Sequence, residues 1–131
     1  IDPEFATKSR GARPGQVIGT LTADEVNEVQ RMLRAVVVRT GGPSKVLVVH
    51  QFHADMLTNP EQFEVIDGVE ISIDMDGWGP PHPKVAGYEA YALAPYSARP
   101  AFKLFEHWDE PLMTPEEVMA MSTPPAYVIY Q

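Results

Sequence analysis

The hydrophobic and polar positions along the chain predict strands that alternate with helices. Apolar residues recur every three to four positions between a capping box at Thr22 and the breaker Gly41-Gly42-Pro43, which predicts an amphipathic helix over about residues 23–39. Short apolar runs rich in β-branched and aromatic residues predict strands at 46–49, 69–73, 101–105 and 126–131. Because helices or long connections separate these runs, we expect the strands to pair in parallel.

The connecting segments carry further predictions. Residues 53–58 suit a short helix, and residues 88–94 suit an extended edge segment. The prolines within residues 80–83 predict irregular backbone, because proline fixes φ and lacks an amide donor. A capping box at Thr114, followed by a proline, predicts a second helix ending near Met121. Residues 6–16, rich in basic residues, Gly and Pro, predict a flexible loop.

Composition narrows the possible classes of protein. With 131 residues, 44% of them hydrophobic and 21% charged, residues 1–131 suit one globular domain. Ten Lys and Arg residues against 18 Asp and Glu residues give a net charge of −8, which argues against nucleic acid as the main partner. No apolar run reaches the roughly 18 residues that predict a membrane span, so we expect no membrane insertion. Without cysteine, disulfides, thiolate zinc sites and a cysteine nucleophile are excluded.

Polar and aromatic residues cluster just after each predicted strand. Because parallel strands bring their carboxyl ends to one edge, where ligands bind in α/β folds, we expect these side chains to form a site for a polar small molecule or a glycan. The alternative is that strand ends are polar only because the chain becomes solvated there. The candidate binding residues are His50, Gln51, Asp76, Trp78, Glu106, Trp108 and Tyr130.

Two aspartates that follow the second predicted strand are candidates for catalysis or for cation binding. Asp74 and Asp76 lie on one face of an extended segment, so they could act as an acid and its ionised partner, or bind a divalent cation. Alternatively, Asp76 belongs to an ordinary Asp-Gly turn. His50, His53 and Asp74 could form a metal site, but a hydrogen-bonded histidine at a strand end is the favoured interpretation. We therefore predict no metal and no cofactor, and Asp74 is the candidate catalytic residue.

Seven short segments form a set that spans nearly the whole chain: residues 1–6 (IDPEFA), 27–30 (NEVQ), 48–52 (VVHQF), 73–77 (IDMDG), 102–105 (FKLF), 111–115 (PLMTP) and 128–131 (VIYQ). The set resembles the C-terminal half of a family of bacterial secreted or lipoprotein-type (β/α)-barrel proteins of largely unassigned function. The resemblance implies a secreted or cell-envelope location. It also implies that the chain begins at the carboxyl end of about the fourth barrel strand. The absence of an initiator Met and of a signal peptide fits a processed product or a piece of a longer chain.

The resemblance also implies catalytic residues. In chitinase-like and lysozyme-like barrels an Asp-x-Glu pair follows the fourth strand, and Asp2-Pro3-Glu4 is similar to it. Glu4 would be the general acid and Asp2 its partner, although the intervening proline departs from the pattern. Since a closed barrel needs roughly 200 or more residues, the implied fold is an α/β, parallel-stranded partial (half) TIM-type barrel with four to five strands and two main helices.

Three functions remain open from the sequence. The first is a glycoside-hydrolase-like half barrel that uses Asp2, Glu4 and Asp74. The second is a non-catalytic module that binds a carbohydrate or a partner. The third is a metal-dependent hydrolase that uses His50, Asp74 and Asp76, with Glu106 or His107 as a further candidate ligand. Because a half barrel exposes two strand edges, we also expect a homo-oligomer, such as a dimer, or a fragment of a longer chain.

Overall fold

The computed structural model describes all 131 residues and has an α/β fold with two parallel sheets. The strands are β1 (Leu21–Thr22), β2 (Lys45–Gln51), β3 (Leu57–Thr58), β4 (Val69–Met75), β5 (Ala101–Leu104) and β6 (Tyr127–Tyr130). The main sheet has the order β2-β4-β5-β6, and β1 pairs with β3 in a two-stranded sheet. Every pair is parallel, which confirms the predicted pairing.

Three α-helices connect the strands: α1 (Ala23–Thr40), α2 (Pro81–Gly87) and α3 (Pro115–Met119). The capping boxes at Thr22 and Thr114 are both formed, and they satisfy backbone amides that the first helical turn leaves without partners. Helix α1 ends at Gly41, whose φ of 60° is a left-handed conformation that glycine adopts at little cost. None of the helices has the length and apolar composition that a membrane span requires.

The hydrophobic core lies on one face of the main sheet. Alternate residues of β4, from Val69 to Met75, point to this face, because successive side chains of a strand alternate between faces. Val26 of α1 packs there against β2 and the first half of β4. Tyr88 and Val118 pack against Met75 and β5 in a second cluster. The hydrophobic core therefore covers this face of the main sheet, and the polar side chains of β4 lie on the other face.

The opposite face of the main sheet carries polar side chains toward its carboxyl end, together with Val46, Val48 and Ile129. One row of residues in register crosses all four strands there: His50, Asp74, Ala101 and Tyr127. The Tyr127 hydroxyl lies 2.6 Å from the Ser72 hydroxyl, although β5 separates their strands. The small side chain of Ala101, at the crossing, leaves room for this contact.

The first residues of the chain extend the main sheet beyond β2. The amino group of Ile1 donates to Val48 O at 2.6 Å, and His50 N donates to Ile1 O at 3.0 Å. These two hydrogen bonds are the pattern of a parallel bridge. Asp2 and Glu4 consequently lie at the carboxyl end of the sheet, on the side where β2 and β4 also end.

Two predictions about the connecting backbone are wrong. Residues 80–83 were expected to be irregular, but α2 begins at Pro81 and includes Pro83. Prolines fit the first helical turn because the amides they lack would have no intrahelical acceptor there. Residues 88–94 were expected to be extended, but Tyr88–Ala92 continue α2 as a π-helical turn, with Tyr88 and Ala92 fully buried.

Two other segments agree in part with their predictions. Residues 53–58 contain a 3-10 turn at Ala54–Met56, but they continue as strand β3 rather than as helix. Residues 6–16 are irregular apart from a 3-10 turn at Lys8–Arg10 and an isolated bridge from Pro14 to Val17. Their flexibility stays a prediction.

Candidate functional site

A cleft of about 500 Å³ opens at the carboxyl ends of the main strands. The segments that follow β2, β4, β5 and β6 all contribute to it, together with the first residues of the chain. Its lining is Glu4, Phe52, Met75, Asp76, Gly77, Trp78, Pro83, Lys84, Lys103, Phe105, Trp108 and Gln131. The cleft therefore combines two carboxyl groups with aromatic side chains, at the position where parallel α/β folds bind ligands.

The two carboxyl groups that line the cleft have pKa values shifted in opposite directions. The pKa of Glu4 is raised, first by burial and then by the negative charges of Asp76 and Asp2. Burial also acts to raise the pKa of Asp76, but hydrogen bonds from His50 and Lys103 outweigh it and lower the pKa below its ordinary value. Near neutral pH, Glu4 is thus the carboxyl group better suited to hold a proton, and Asp76 is ionised.

His50 lies at the centre of an acidic cluster beside the cleft. Its Nδ1 atom is 3.0 Å from Asp76 Oδ2, and it is 3.6 Å from both Asp74 Oδ2 and Asp2 Oδ1. The hydrogen bond to Asp76 and the nearby carboxylates raise the pKa of His50, against the opposing effect of burial. The geometry therefore favours a protonated imidazole at mildly acidic pH.

Asp74 is the most enclosed member of this cluster. Its side chain is 0% exposed, and neither carboxylate oxygen accepts a hydrogen bond from the protein. Burial raises the pKa of Asp74 to about 6. Because a buried carboxylate that accepts no hydrogen bond is costly to ionise, even with His50 3.6 Å away, Asp74 takes up a proton more readily in the fold than in an unfolded chain.

Asp2, His50 and Asp76 are the residues that could hold a metal ion, since one potential ligand atom from each lies within 4.8 Å of the others. Lys103 acts against such an ion, because its Nζ atom is 2.7 Å from Asp76 Oδ1 and already balances that carboxylate. His53 does not join the cluster. Its ring is half exposed and lies 3.9 Å from Asp55 instead.

The structure brings together most, but not all, of the predicted site residues. Glu4, Asp76, Trp78 and Trp108 line the cleft. Asp2, His50 and Asp74 form the adjoining cluster. The predicted residues that belong neither to the lining nor to the cluster are Gln51, Glu106 and Tyr130.

Each of these three residues lies elsewhere for a simple reason. Gln51 is buried and donates to His53 O, because it lies one position from His50 and so points to the other face of the sheet. Glu106 and Tyr130 are exposed at the ends of their segments. They were predicted to be binding residues from their positions in the chain alone, and the direction of their side chains was not taken into account.

Eight of the twelve lining residues were not among the predicted site residues: Phe52, Met75, Gly77, Pro83, Lys84, Lys103, Phe105 and Gln131. Of these, Lys103 carried a usable signal. A lysine inside an apolar strand, on the same face as Asp74, must reach an acid or solvent, and Lys103 is only 8% exposed. Lys84 carried no such signal, because its partner Asp109 is remote from it in the chain.

Gly19 holds the segment that carries Glu4 in place. Gly19 N donates to Glu4 O at 2.8 Å, and a Cβ atom on Gly19 would lie 2.5 Å from Pro3 O and 2.6 Å from Ala6 C. The backbone cannot yield as a side chain can, so Gly19→Ala should lower the free energy of unfolding by about 1–3 kcal/mol. Urea unfolding measures this.

The matched control for Gly19→Ala is Gly42→Ala, where the new Cβ would meet only the side chain of Thr40. We expect a much smaller loss for the control. Equal losses in the two variants would contradict the close approach at Gly19.

Comparison of this chain with protein-family models, with curated proteins and with solved structures finds no match. Accordingly, the family resemblance of its segments stays a prediction, and the function proposed below rests on the cleft.

Proposed function

We propose that this protein is a carbohydrate-active hydrolase in which Glu4 is the general acid. The observation that carries the proposal is the pair of carboxyl groups in one cleft, with the pKa of Glu4 raised and that of Asp76 lowered. Glycoside hydrolysis needs one carboxylic acid to protonate the leaving oxygen and one carboxylate to act from its ionised form. Environments that separate two pKa values in this way assign the acid and its partner.

The proposed roles follow from the contacts of each side chain. Glu4 donates its proton to the glycosidic oxygen of a bound saccharide, and Asp2 helps to keep that proton on Glu4 by its negative charge. Asp76, held by Lys103 and His50, stabilises the positive charge that develops on the sugar ring or activates water. Asp74 acts indirectly, through its contact with His50.

The aromatic residues of the cleft support a saccharide ligand. Trp78 is 69% exposed and Trp108 is 60% exposed, which is unusual for residues that normally bury most of their surface. Phe105 stacks on Trp108 with ring centroids 5.7 Å apart and an interplanar angle of 30°. An exposed aromatic surface beside hydrogen-bonding carboxylates suits the weakly apolar C–H face of a sugar ring and its hydroxyl groups.

The test is hydrolysis of a panel of polysaccharides, measured as new reducing ends, together with calorimetric binding to the same panel. The proposal predicts reducing ends from at least one polysaccharide. Binding without turnover would favour the second candidate, a non-catalytic carbohydrate-binding module that uses the same aromatic walls. Neither binding nor turnover across the panel would contradict the proposed saccharide site.

A metal-dependent hydrolase is the third candidate, and the close approach of Asp2, His50 and Asp76 is the observation in its favour. It predicts that protein dialysed against a chelator loses activity and regains it with Zn²⁺ or Mn²⁺. Activity that survives chelation, with no thermal stabilisation when metal is added, would remove it.

The half-barrel architecture belongs to the same proposal. Parallel strands that each pair with the next long strand in the chain, with core helices on one face, are the arrangement of a (β/α) barrel, but the main sheet is open. We propose that a second copy, or the rest of a longer chain, covers the free edges. Light scattering tests the association with a second copy, and a monomer of 14.5 kDa would contradict it.

The proposed secreted or cell-envelope location rests on the resemblance of the segments alone.

A further inference from the structure

A buried ion pair lies beneath the two tryptophans of the cleft. Lys84 Nζ is 3.0 Å from Asp109 Oδ2, and the two side chains are 2% and 1% exposed. Lys84 comes from α2, whereas Asp109 follows β5, so the pair joins parts of the chain that are distant in sequence. The rings of Phe102 and Phe105 flank the ammonium group at 5.2 Å from their centroids.

The pair also binds the backbone of both loops that carry the tryptophans. Asp109 accepts hydrogen bonds from Gly79 N at 2.8 Å and from Phe105 N at 2.9 Å. Lys84 donates to Gly77 O at 2.5 Å and to Lys103 O at 2.8 Å. Gly77 and Gly79 are the immediate neighbours of Trp78, and Asp109 is the immediate neighbour of Trp108.

The contacts of Lys84 point to a positioning role rather than a reactive one. Its ammonium group has three hydrogens and three oxygen acceptors, so no donor is left for a ligand. Burial lowers the pKa of Lys84, while the hydrogen bond that it donates to Asp109 acts in the opposite direction and supports the charged form. Although the side chain borders the cleft, every polar contact it makes is with the protein.

We infer that the Lys84–Asp109 pair is a positioning device that holds Trp78 and Trp108 exposed at the cleft, in the orientation that a saccharide needs for stacking. The ligand part of this inference rests on the proposed function. An exposed indole gains free energy by folding back onto apolar surface. The two loops are tied to the buried pair by three hydrogen bonds, and the bond from Lys84 to Lys103 O anchors the pair to β5. Loops held in this way cannot make that movement, so the stacking surface is formed before the ligand arrives.

The chain offers a direct readout, because Trp78 and Trp108 are its only tryptophans. Time-resolved fluorescence anisotropy therefore reports the motion of these two loops alone. In Lys84→Met and in the milder Asp109→Asn, which keeps one acceptor oxygen, we expect faster indole motion. We also expect at least about tenfold weaker binding of any saccharide that the wild type binds.

The control variant is Val26→Ala, which removes buried methyl groups from the core beneath α1, away from the cleft. It should unfold at lower denaturant concentration, yet retain the indole anisotropy and saccharide affinity of the wild type. A loss of anisotropy in Val26→Ala equal to that in Lys84→Met would show that general destabilisation, rather than positioning, explains the result. Unchanged anisotropy and affinity in folded Lys84→Met and Asp109→Asn would overturn the inference.

A measurement on the wild type keeps the inference testable if both variants fail to fold. The amides of Gly79 and Phe105 should exchange with solvent as slowly as amides of the core strands, because they donate to a buried carboxylate. Rapid exchange of these two amides would overturn the inference. If no saccharide binds the wild type, the proposed function fails, but anisotropy and exchange still test whether the pair positions the loops.

Discussion

Replacing Glu4 with glutamine should reduce kcat by about 10²–10⁴-fold on any polysaccharide that the wild type hydrolyses. Glutamine retains the shape and hydrogen-bonding capacity of a protonated glutamic acid, but it cannot release a proton to a leaving oxygen. Saccharide affinity should therefore stay close to that of the wild type. Steady-state kinetics and calorimetry on the same substrate measure the two effects separately.

The control for Glu4→Gln is Glu61→Gln, which changes an exposed carboxylate at a distance from the cleft. It should retain wild-type turnover. If Glu4→Gln also retained wild-type turnover, Glu4 would not be the general acid. If it lost binding and turnover together, its role would be to hold the ligand.

Replacing Asp74 with asparagine should stabilise the fold at neutral pH. The pKa of Asp74 is about 6 in the fold against an ordinary value of 3.8. As pH rises between these values, the unfolded chain releases its proton before the fold does, so the free energy of unfolding decreases with increasing pH. Above about pH 6 the full cost of the buried charge is present, on the order of 3 kcal/mol. The Asp74→Asn variant does not carry this cost, because the asparagine side chain is neutral at every pH.

The measurement for Asp74→Asn is guanidinium unfolding of the variant and the wild type at pH 5 and pH 8. The wild type should be more stable at pH 5, and the raised pKa of His50 acts in the same direction, since its stabilisation is lost as pH rises through the folded pKa. The variant should gain most at pH 8. Asp67→Asn, at an exposed aspartate, is the control and should change little at either pH. Destabilisation of Asp74→Asn at pH 8 would contradict a buried carboxyl group without hydrogen bonds at this position.

The parts of the fold that local sequence determines were predicted well. Helix α1 was predicted to within one residue at its carboxyl end, because its apolar stripe, capping box and terminal glycine are all local signals. The four strands of the main sheet were also found from their apolar runs. By contrast, two elements were not predicted. Helix α2 begins at Pro81 because the first helical turn has no acceptors for the amides that prolines lack, and the π-helical turn at Tyr88 forms because it packs against β5.

The candidate site was predictable to the extent that strand ends determine it. Asp76, Trp78 and Trp108 were chosen because they follow strands, and all three line the cleft. The unpaired burial of Asp74 could not be predicted, since it depends on strands and on a terminal segment that are remote in sequence. The Lys84–Asp109 pair was missed for the same reason.

The measurement that tests the central claim most directly is a fluorescence titration of Glu4→Gln, whose slow turnover leaves the ligand intact during the experiment, with the saccharide that the wild type hydrolyses or binds. Because Trp78 and Trp108 supply all of the tryptophan emission, a ligand in the cleft must change it. We expect a saturable shift in emission, with the same dissociation constant as calorimetry gives. Calorimetric binding with no change in tryptophan emission would put the ligand elsewhere on the protein and contradict the account.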